Sequence, residues 1–299
     1  MPKQIREVYG SVLAELGETN ENIVVLDADL SGSTKSAIFG KAHPERFFNM
    51  GIAEQNMVAT AAGMAACGKI PFVNTFTVFL TSLGLLSARD QICYANLNVK
   101  FGGAYCGMSD ALDGASHHAT EDIAFMRALP NMKVIAPADA AAARWATKYA
   151  VENYGPMYLR LSREVYPDLY TEDTKFELGK GAIVRDGSDV TVIACGIMVH
   201  KALEAAKILE ERLISVRVVD MYSIKPIDRE LIVKCAKETA PKSTTSTAAS
   251  ALRFPKCLRT KAAAFRPSLS AFRTRSRSPL PTRSFSPNTA LTPTALSKV

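Results

Sequence analysis

The chain has 299 residues, which is enough for two domains, and its formal net charge is +7. This charge is unevenly distributed: residues 240–299 contain 11 Lys and Arg and no Asp or Glu, which leaves 25 basic and 29 acidic residues, a net of −4, among the first 239. Because the basic character belongs to the tail, we expect neither a nucleic-acid partner nor a membrane partner for the rest of the chain.

The six cysteines and the N-terminal residues indicate in which cellular compartment we expect the protein. No Cys-x-x-Cys pair occurs and no His stands at metal-ligand spacing, which favours buried thiols in a reducing cytoplasm over a disulfide framework or a zinc site. The first residues lack the apolar segment of a secretory signal. The most apolar stretch, residues 72–88, is interrupted by Asn, Thr, Ser and Gly and is short for a membrane span. We expect a cytoplasmic protein.

Short apolar runs alternate with segments of helical period in the first half of the chain. Strands are predicted at residues 23–26, 70–73, 99–102, 134–136 and 157–161. Helices are predicted at residues 5–16, 53–67, 82–94, 121–128 and 140–153. This alternation predicts an α/β fold with a parallel sheet covered by helices on both faces. Ligands of such sheets bind at the carboxyl ends of the strands. The polar and aromatic residues that follow the predicted strands are Asp29, Ser33, Phe76, Asp113 and Arg163.

A second strand–helix unit follows after a segment without periodicity. Strands are predicted at residues 190–195 and 216–219, and helices at 200–213 and 228–237. We therefore divide the chain into a first domain over residues 1–165, a linker over 166–181 and a partial second α/β domain over 182–239.

Residues 49–57, Asn-Met-Gly-Ile-Ala-Glu-Gln-Asn-Met, place one carboxylate in an otherwise uncharged run that leads into an apolar helix. This carboxylate, Glu54, should be partly desolvated and should need a hydrogen-bonding partner. A helix N-terminal Glu favoured by the macrodipole is the alternative, and the residue by itself does not decide between the two.

Three further motifs accompany this one. They are Leu-Asp-Ala-Asp-Leu-Ser-Gly-Ser at 26–33, Pro-Phe-Val-Asn-Thr-Phe-Thr-Val-Phe at 71–79 and Asp-Gly-Ala-Ser-His-His at 113–118. Together they resemble the pyrimidine-binding half of transketolase, most of all the C-terminal subunit of a two-chain transketolase, over residues 3–239. The resemblance implies a pyrimidine-binding domain followed by a smaller, here incomplete, transketolase C-terminal domain. It also implies transfer of a two-carbon ketol unit from a ketose phosphate to an aldose phosphate in the pentose phosphate pathway.

The resemblance assigns cofactor contacts to three residues. Glu54 would hydrogen-bond the aminopyrimidine ring of thiamine diphosphate and stabilise its imino tautomer, which is chemistry of the cofactor that the protein tunes. Phe76 and Phe79 would bracket the pyrimidine by aromatic packing. Their i, i+3 spacing is equally that of ordinary core residues, so only the family motif favours the functional interpretation.

Substrate contacts are implied in the same way. Asp113 and His117 would contact substrate hydroxyls, with His117 also counted as catalytic and His118 as a weaker candidate. A loop Asp-Gly is otherwise most often a turn. Many relatives carry a His where this chain has Tyr105, so one substrate contact of the family is altered here.

Three residues match the family's sugar-phosphate contacts: Arg6, Ser33 and Arg163. The planar guanidinium of arginine suits a phosphate because it donates two parallel, charge-assisted hydrogen bonds. Each of the three could equally be a solvated surface residue.

The motif with which the family holds magnesium and the diphosphate, Gly-Asp-Gly followed by a downstream Asn, does not occur in the chain; Asp-Gly-Ser-Asp at 186–189 is a turn. We therefore expect no metal ligands here. The resemblance implies an N-terminal transketolase subunit as partner, which would carry the magnesium ligands, and a heterotetramer with two copies of each chain.

The tail after residue 239 loses all periodicity and contains seven of the 15 prolines. A disordered basic tail is one interpretation. We favour another, because the codons for residues 241–260, read from each third base, can spell Glu-Glu-His-Asn-Ile-Tyr-Gly-Gly-Leu-Gly-Ser and eight further residues that resemble the transketolase C-terminal domain. The hypothesis is a frameshift near residue 240.

Two other functions remain open. A 1-deoxyxylulose-5-phosphate synthase or a 2-oxo-acid dehydrogenase β subunit would share the cofactor-binding features, although Asp113, His117 and Arg163 together favour sugar phosphates. A truncated, non-catalytic subunit that only docks its partner is the alternative from another class, and the altered tail supports it.

Overall fold

The computed structural model describes residues 4–110 and 112–239, so the proposed out-of-frame segment 240–299 lies outside the described residues. The strands are β1 Ile23–Asp27, β2 Phe47–Asn49, β3 Ile70–Phe76, β4 Lys100–Ala104, β5 Lys133–Ile135, β6 Met157–Leu161, β7 Ala182–Arg185, β8 Val190–Ala194, β9 Val216–Asp220 and β10 Ser223–Lys225. The helices are α1 Ile5–Gly17, α2 Ser31–Thr34, α3 Ala37–Ala42, α4 Glu54–Ala66, α5 Thr77–Leu83, α6 Leu85–Ser87, α7 Asp122–Ala128, α8 Ala140–Glu152, α9 Met198–Glu210 and α10 Arg229–Glu238.

Seven strands form one sheet in the order β10-β5-β6-β4-β3-β1-β2. All neighbouring pairs are parallel except β10 and β5, which are antiparallel. The predicted parallel sheet is thus confirmed, with one antiparallel strand added at its edge. The carboxyl ends of β1, β3, β4 and β6 lie side by side, because Asp27 pairs with Asn74, Phe76 with Ala104 and Ala104 with Leu161.

Helices cover both faces of this sheet, and the alternation of side chains along β1 shows why the strand is apolar throughout. Ile23 and Val25 pack with α1, α3 and α8 on one face, whereas Val24 and Leu26 pack with α4 and α7 on the other. A strand buried on both faces reads as a continuous apolar run, which is the pattern of residues 23–26.

A smaller sheet has the order β7-β9-β8, with β8 parallel and β7 antiparallel to β9. Helix α9 packs on it through Val199, Ala202 and Ala206. The segment 162–181 before this sheet contains no helix or strand. Since β10 returns to the larger sheet, residues 4–239 lie in one compact unit, and the domain bounds at 165 and 182 stay predictions.

Two predicted details are wrong. The helix expected over 82–94 is divided into the end of α5, the short α6 and a π-helical segment at Ala88–Cys93. Gly84 lies at the break, where a Cβ would come 2.9 Å from the Leu80 carbonyl oxygen and 3.0 Å from Val58 Cγ2, so a larger residue would crowd this turn against α4. Cys67 is an exposed thiol, although buried thiols were expected, while Cys93 is buried. No helix within residues 4–110 and 112–239 is long and apolar enough to cross a membrane.

Candidate active site

Glu54 is the first residue of α4, and its side chain is only 3% exposed. Gly51 precedes the helix with φ of 69°, a conformation that favours glycine and turns the chain from β2 into α4. The hydroxyl of Thr75 donates a hydrogen bond of 3.4 Å to Glu54 Oε1. The structure thus combines both interpretations of this residue, since Glu54 is a helix N-terminal carboxylate that is also buried beside the end of β3.

Aromatic rings gather directly beside Thr75. Phe76 and Phe79 are nearly parallel, with interplanar angle 18° and ring centroids 6.0 Å apart. His117 meets both rings edge-on, at 6.0 Å from Phe76 and 5.3 Å from Phe79. Two predicted cofactor residues, Phe76 and Phe79, therefore form one cluster with the predicted substrate residue His117, which lies about forty positions later in the chain.

Two predicted phosphate contacts meet on the side chain of Tyr105. The guanidinium carbons of Arg6 and Arg163 lie 4.9 and 5.2 Å from the centroid of its ring. Arg6 Nη1 also donates to the Tyr105 hydroxyl at 2.7 Å and to the backbone carbonyl of Ser33. The ring of Tyr105 lies 4.2 Å from that of Phe76, which joins this basic cluster to the aromatic one.

The loop after β4 carries the remaining predicted residues. Asp113 is exposed and His117 is half-buried, with Ser116 Oγ 3.0 Å from its Nδ1. His118 points elsewhere, because its Nε2 lies 3.0 Å from the backbone carbonyl of Asp110. This contact gives His118 a structural role in the loop.

A buried carboxylate shapes the loop after β1. Asp27 accepts hydrogen bonds from the backbone N–H of Leu30 at 2.6 Å, from Thr34 at 2.7 Å and from Ser36 at 2.8 Å. Burial raises the pKa of Asp27, and these three hydrogen bonds act against the rise by favouring the charged form. The Asp27 side chain therefore fixes the loop that carries Ser33.

A second buried network lies under β4 and β6. Asp122 accepts two hydrogen bonds from the Arg160 guanidinium, at 2.7 and 3.2 Å, and one from the Tyr158 hydroxyl at 2.7 Å. Burial raises the pKa of the nearby Cys106 thiol to about 11, so this cysteine is a poor nucleophile at neutral pH.

A Cβ on Gly103 would lie 2.5 Å from the Tyr158 ring, which explains the glycine in a buried strand.

The sequence analysis assigned no role in the site to Asp27, Asp110 or Asp122. It also did not predict that Tyr105 contacts two arginines. Asp27 could have been found, because it ends an apolar strand and so needs buried partners. The other three act through residues far away in the chain, for which the sequence has no local signal.

Among residues 4–110 and 112–239, no group of three or more His, Cys, Asp or Glu side chains could hold a metal ion. A cavity of about 560 Å³ lies elsewhere, between α8 and the segment at 168–176, and is lined by Trp145 and Phe176 among others. It includes none of the predicted site residues.

The chain matches the family model "Transketolase, pyrimidine binding domain" over residues 1–168 and "Transketolase, C-terminal domain" over residues 179–251. It is 48% identical over 234 residues to a putative transketolase C-terminal section of Methanocaldococcus jannaschii, covering 78% of this chain and 74% of that protein. It is 38% identical to a 6-deoxy-6-sulfo-D-fructose transketolase subunit of a Clostridium species, covering 79% and 73%.

Human transketolase is 40% identical over 240 residues, and the chain spans only 38% of its length. Among solved structures, a split-gene transketolase described as an inactive β4 tetramer matches with 53% identity and a TM-score of 0.73, over 80% of this chain and 78% of that one. Taken with the two family matches, these relatives show that the chain belongs to the transketolase family and corresponds to its C-terminal section, which begins with the pyrimidine-binding domain.

Proposed function

We propose that this chain is the C-terminal subunit of a two-chain, thiamine-diphosphate-dependent transketolase. In the assembled enzyme it would help transfer a two-carbon ketol unit from a ketose phosphate to an aldose phosphate. The observation that carries this proposal is the placement of buried Glu54 beside Thr75, directly next to an aromatic cluster. That cluster consists of the buried ring of Phe76 and the half-buried rings of Phe79 and His117.

These residues fit the aminopyrimidine end of the cofactor. When bound, thiamine diphosphate would supply the carbon nucleophile for the cleavage of the ketose. Glu54 would accept a hydrogen bond from a pyrimidine ring nitrogen that carries a proton, as in the imino tautomer, in a setting where burial strengthens the interaction. The nearly parallel rings of Phe76 and Phe79 offer apolar faces on which a flat heterocycle can pack.

The basic cluster on Tyr105 supports a substrate with a terminal anion. Arg6 and Arg163 approach the same ring, and each guanidinium keeps N–H groups that have no partner among the described residues. Asp113 and His117, on the loop beside them, would contact hydroxyl groups of the sugar. Since one relative is named for a sulfo-sugar, phosphate and sulfonate are both anions to test, and we expect a phosphate, as in the pentose phosphate pathway.

The partner would be an N-terminal transketolase subunit that holds magnesium and the diphosphate, in a heterotetramer with two copies of each chain. Relatives described as a C-terminal section and as a subunit support this division of the enzyme. The split-gene relative that forms an inactive β4 tetramer supports the expectation that the isolated chain has no activity. Five free cysteines among the described residues support a reducing, cytoplasmic location.

The other functions are separated from this one by the same assembly. A deoxyxylulose-phosphate synthase or a 2-oxo-acid dehydrogenase would consume pyruvate or another oxo acid, whereas a transketolase consumes a ketose phosphate. A non-catalytic subunit would bind its partner and show no turnover at all.

The test is a Glu54→Gln substitution in the chain assembled with its N-terminal partner. The amide keeps the shape of the side chain but removes the charge that polarises the pyrimidine, so we expect the transfer rate to fall at least about 100-fold, comparable to the loss of one general acid–base group. Glu18→Gln, at an exposed residue after α1, is the matched control and should retain wild-type activity. Equal activity of both variants and wild type would contradict the role of Glu54. Absence of turnover in the wild-type assembly would favour the non-catalytic subunit.

A further inference from the structure

Asp110 is a fully buried carboxylate in the loop between β4 and the 3₁₀ turn at Ala115–His117. None of the sequence motifs includes it. A carboxylate is rarely buried unless other groups hydrogen-bond it or pair with its charge, so its neighbours indicate what it does.

The first neighbour is Arg163, whose Nη1 donates to Asp110 Oδ1 at 2.8 Å. The adjacent residue makes a second contact to the same arginine, since the backbone N–H of Arg163 donates to Ser109 Oγ at 3.4 Å. Both the backbone and the guanidinium of Arg163 are therefore fixed to the loop. A guanidinium has five N–H donors in a rigid plane, so the bond to Asp110 fixes that plane and leaves donors free.

The second neighbour is the carboxyl group of Asp113. Asp110 Oδ2 is buried and has no N–H or O–H partner among the described residues. Burial, then the hydrogen bond and the charge of Asp113, raise the pKa of Asp110, while Arg163 acts to lower it. Asp113 is therefore a neighbour that, like burial, disfavours the charged form of Asp110.

We propose that Asp110 is a positioning residue that determines substrate specificity, because its buried carboxyl group holds the Arg163 guanidinium through Oδ1 and lies next to Asp113. This inference rests on the proposed function, in which Arg163 contacts the terminal anion of the sugar and Asp113 contacts a hydroxyl group. Asp110 then sets the separation between the two contacts. The site then selects a sugar by the number of bonds between the anionic group of the sugar and the hydroxyl group that contacts Asp113.

Three substitutions test this role in the assembled enzyme. Asp110→Asn has nearly the shape of a protonated aspartic acid, since its amide oxygen can accept from Arg163 while its NH₂ group donates to Asp113. Asp110→Ala removes both contacts. Asp173→Ala, at an exposed position in the segment before β7, is the matched control. KM and kcat are measured for a ketose phosphate, for the same ketose without its phosphate, and for an epimer of the phosphate at one hydroxyl.

We expect Asp110→Ala to raise KM for the ketose phosphate about 10- to 100-fold, the range for losing hydrogen bonds to a charged group, with a smaller change in kcat. Its discrimination between epimers should decrease as well. Asp110→Asn should recover most of both properties. In an Arg163→Met background, Asp110→Ala should cause little further loss of preference for the phosphorylated ketose, because the two residues act as one unit.

Equal KM increases for the phosphorylated and the phosphate-free ketose, without recovery in Asp110→Asn, would overturn the proposal and leave Asp110 as a loop-stabilising residue. Calorimetric titration with the ketose phosphate separates this failure from failure of the proposed function. If wild type binds the sugar without transferring its ketol unit, the proposed function fails, and the ratio of the Kd values of Asp110→Ala and wild type tests Asp110 by itself. If the wild-type complex binds no ketose phosphate, both proposals fail.

Discussion

Lys100, the first residue of β4, is a fully buried amine that has no carboxylate partner within residues 4–110 and 112–239. Its Nζ donates to the backbone carbonyls of Asn153 and Gly155, each at 2.7 Å. Burial, and then the charge of Lys133, lowers its pKa from the ordinary 10.5 to about 7. A neutral amine still has two N–H donors, so both hydrogen bonds survive deprotonation.

The lowered pKa of Lys100 makes the stability of the protein depend on pH. Between pH 7 and pH 10.5 the unfolded chain binds a proton at Lys100 that the folded chain has lost, so the free energy of unfolding increases as the pH rises. The full difference between the two pKa values corresponds to roughly 5 kcal/mol. Of this, the interval from pH 7 to pH 9 accounts for about 2 kcal/mol.

The assay is urea unfolding of wild type and Lys100→Met at pH 7, 8 and 9. Other titrating groups contribute equally to both proteins, so the stability of wild type relative to the variant should increase by about 2 kcal/mol over this range. Lys41→Met, at an exposed residue of α3, should show no such trend. A difference between wild type and Lys100→Met that stays constant with pH would refute the reasoning, since it would mean that Lys100 keeps its charge when folded.

Three further predictions concern the site and the tail. Gly103→Ala should cost about 1–3 kcal/mol in urea unfolding, because its Cβ would lie 2.5 Å from the buried Tyr158 ring; unchanged stability would contradict this packing. Tyr105→Phe removes the hydroxyl that accepts from Arg6 and should raise KM for a ketose phosphate several-fold while leaving kcat for the phosphate-free ketose nearly unchanged. Genomic sequencing across codons 235–262 should reveal a reading frame that encodes the Glu-Glu-His and Gly-Gly-Leu-Gly segments. Confirmation of the printed frame would reject the frameshift.

Long apolar runs made most of the fold predictable from the sequence. The strand at Met157–Leu161 was predicted with its observed bounds, and β1 and β9 were each predicted one residue short at the carboxyl end. The strands β2, β7 and β10 were missed, since each has only three or four residues and contains a polar side chain, which is too short for a period to be visible. Their existence depends on the neighbouring strands that they pair with.

The position of the site was predictable for a topological reason. Glu54, Phe76 and Arg163 all follow or flank strands of one parallel sheet. The topology alone therefore predicts that they lie at the same edge of the sheet. Their individual contacts were not predictable. Asp110 and Arg163 are separated by 53 positions, and Tyr105 meets Arg6 across 99, and no local pattern encodes such pairs.

Polar residues within apolar strands are nevertheless a signal that the sequence contains. Asn74 interrupts the apolar run of β3, and the structure satisfies it fully: its Oδ1 accepts from the Tyr9 hydroxyl at 2.6 Å and its Nδ2 donates to the carbonyls of Leu26 and Phe72. A buried amide without partners would cost several kcal/mol, so its presence requires a donor and acceptors nearby. Sequence reasoning can therefore state that such a residue will be partnered and that the partners lie under the strand ends. The identity of the partner follows only from the fold, which is why the sequence indicated the position of this candidate site but not the buried carboxyl group of Asp110 beside Arg163.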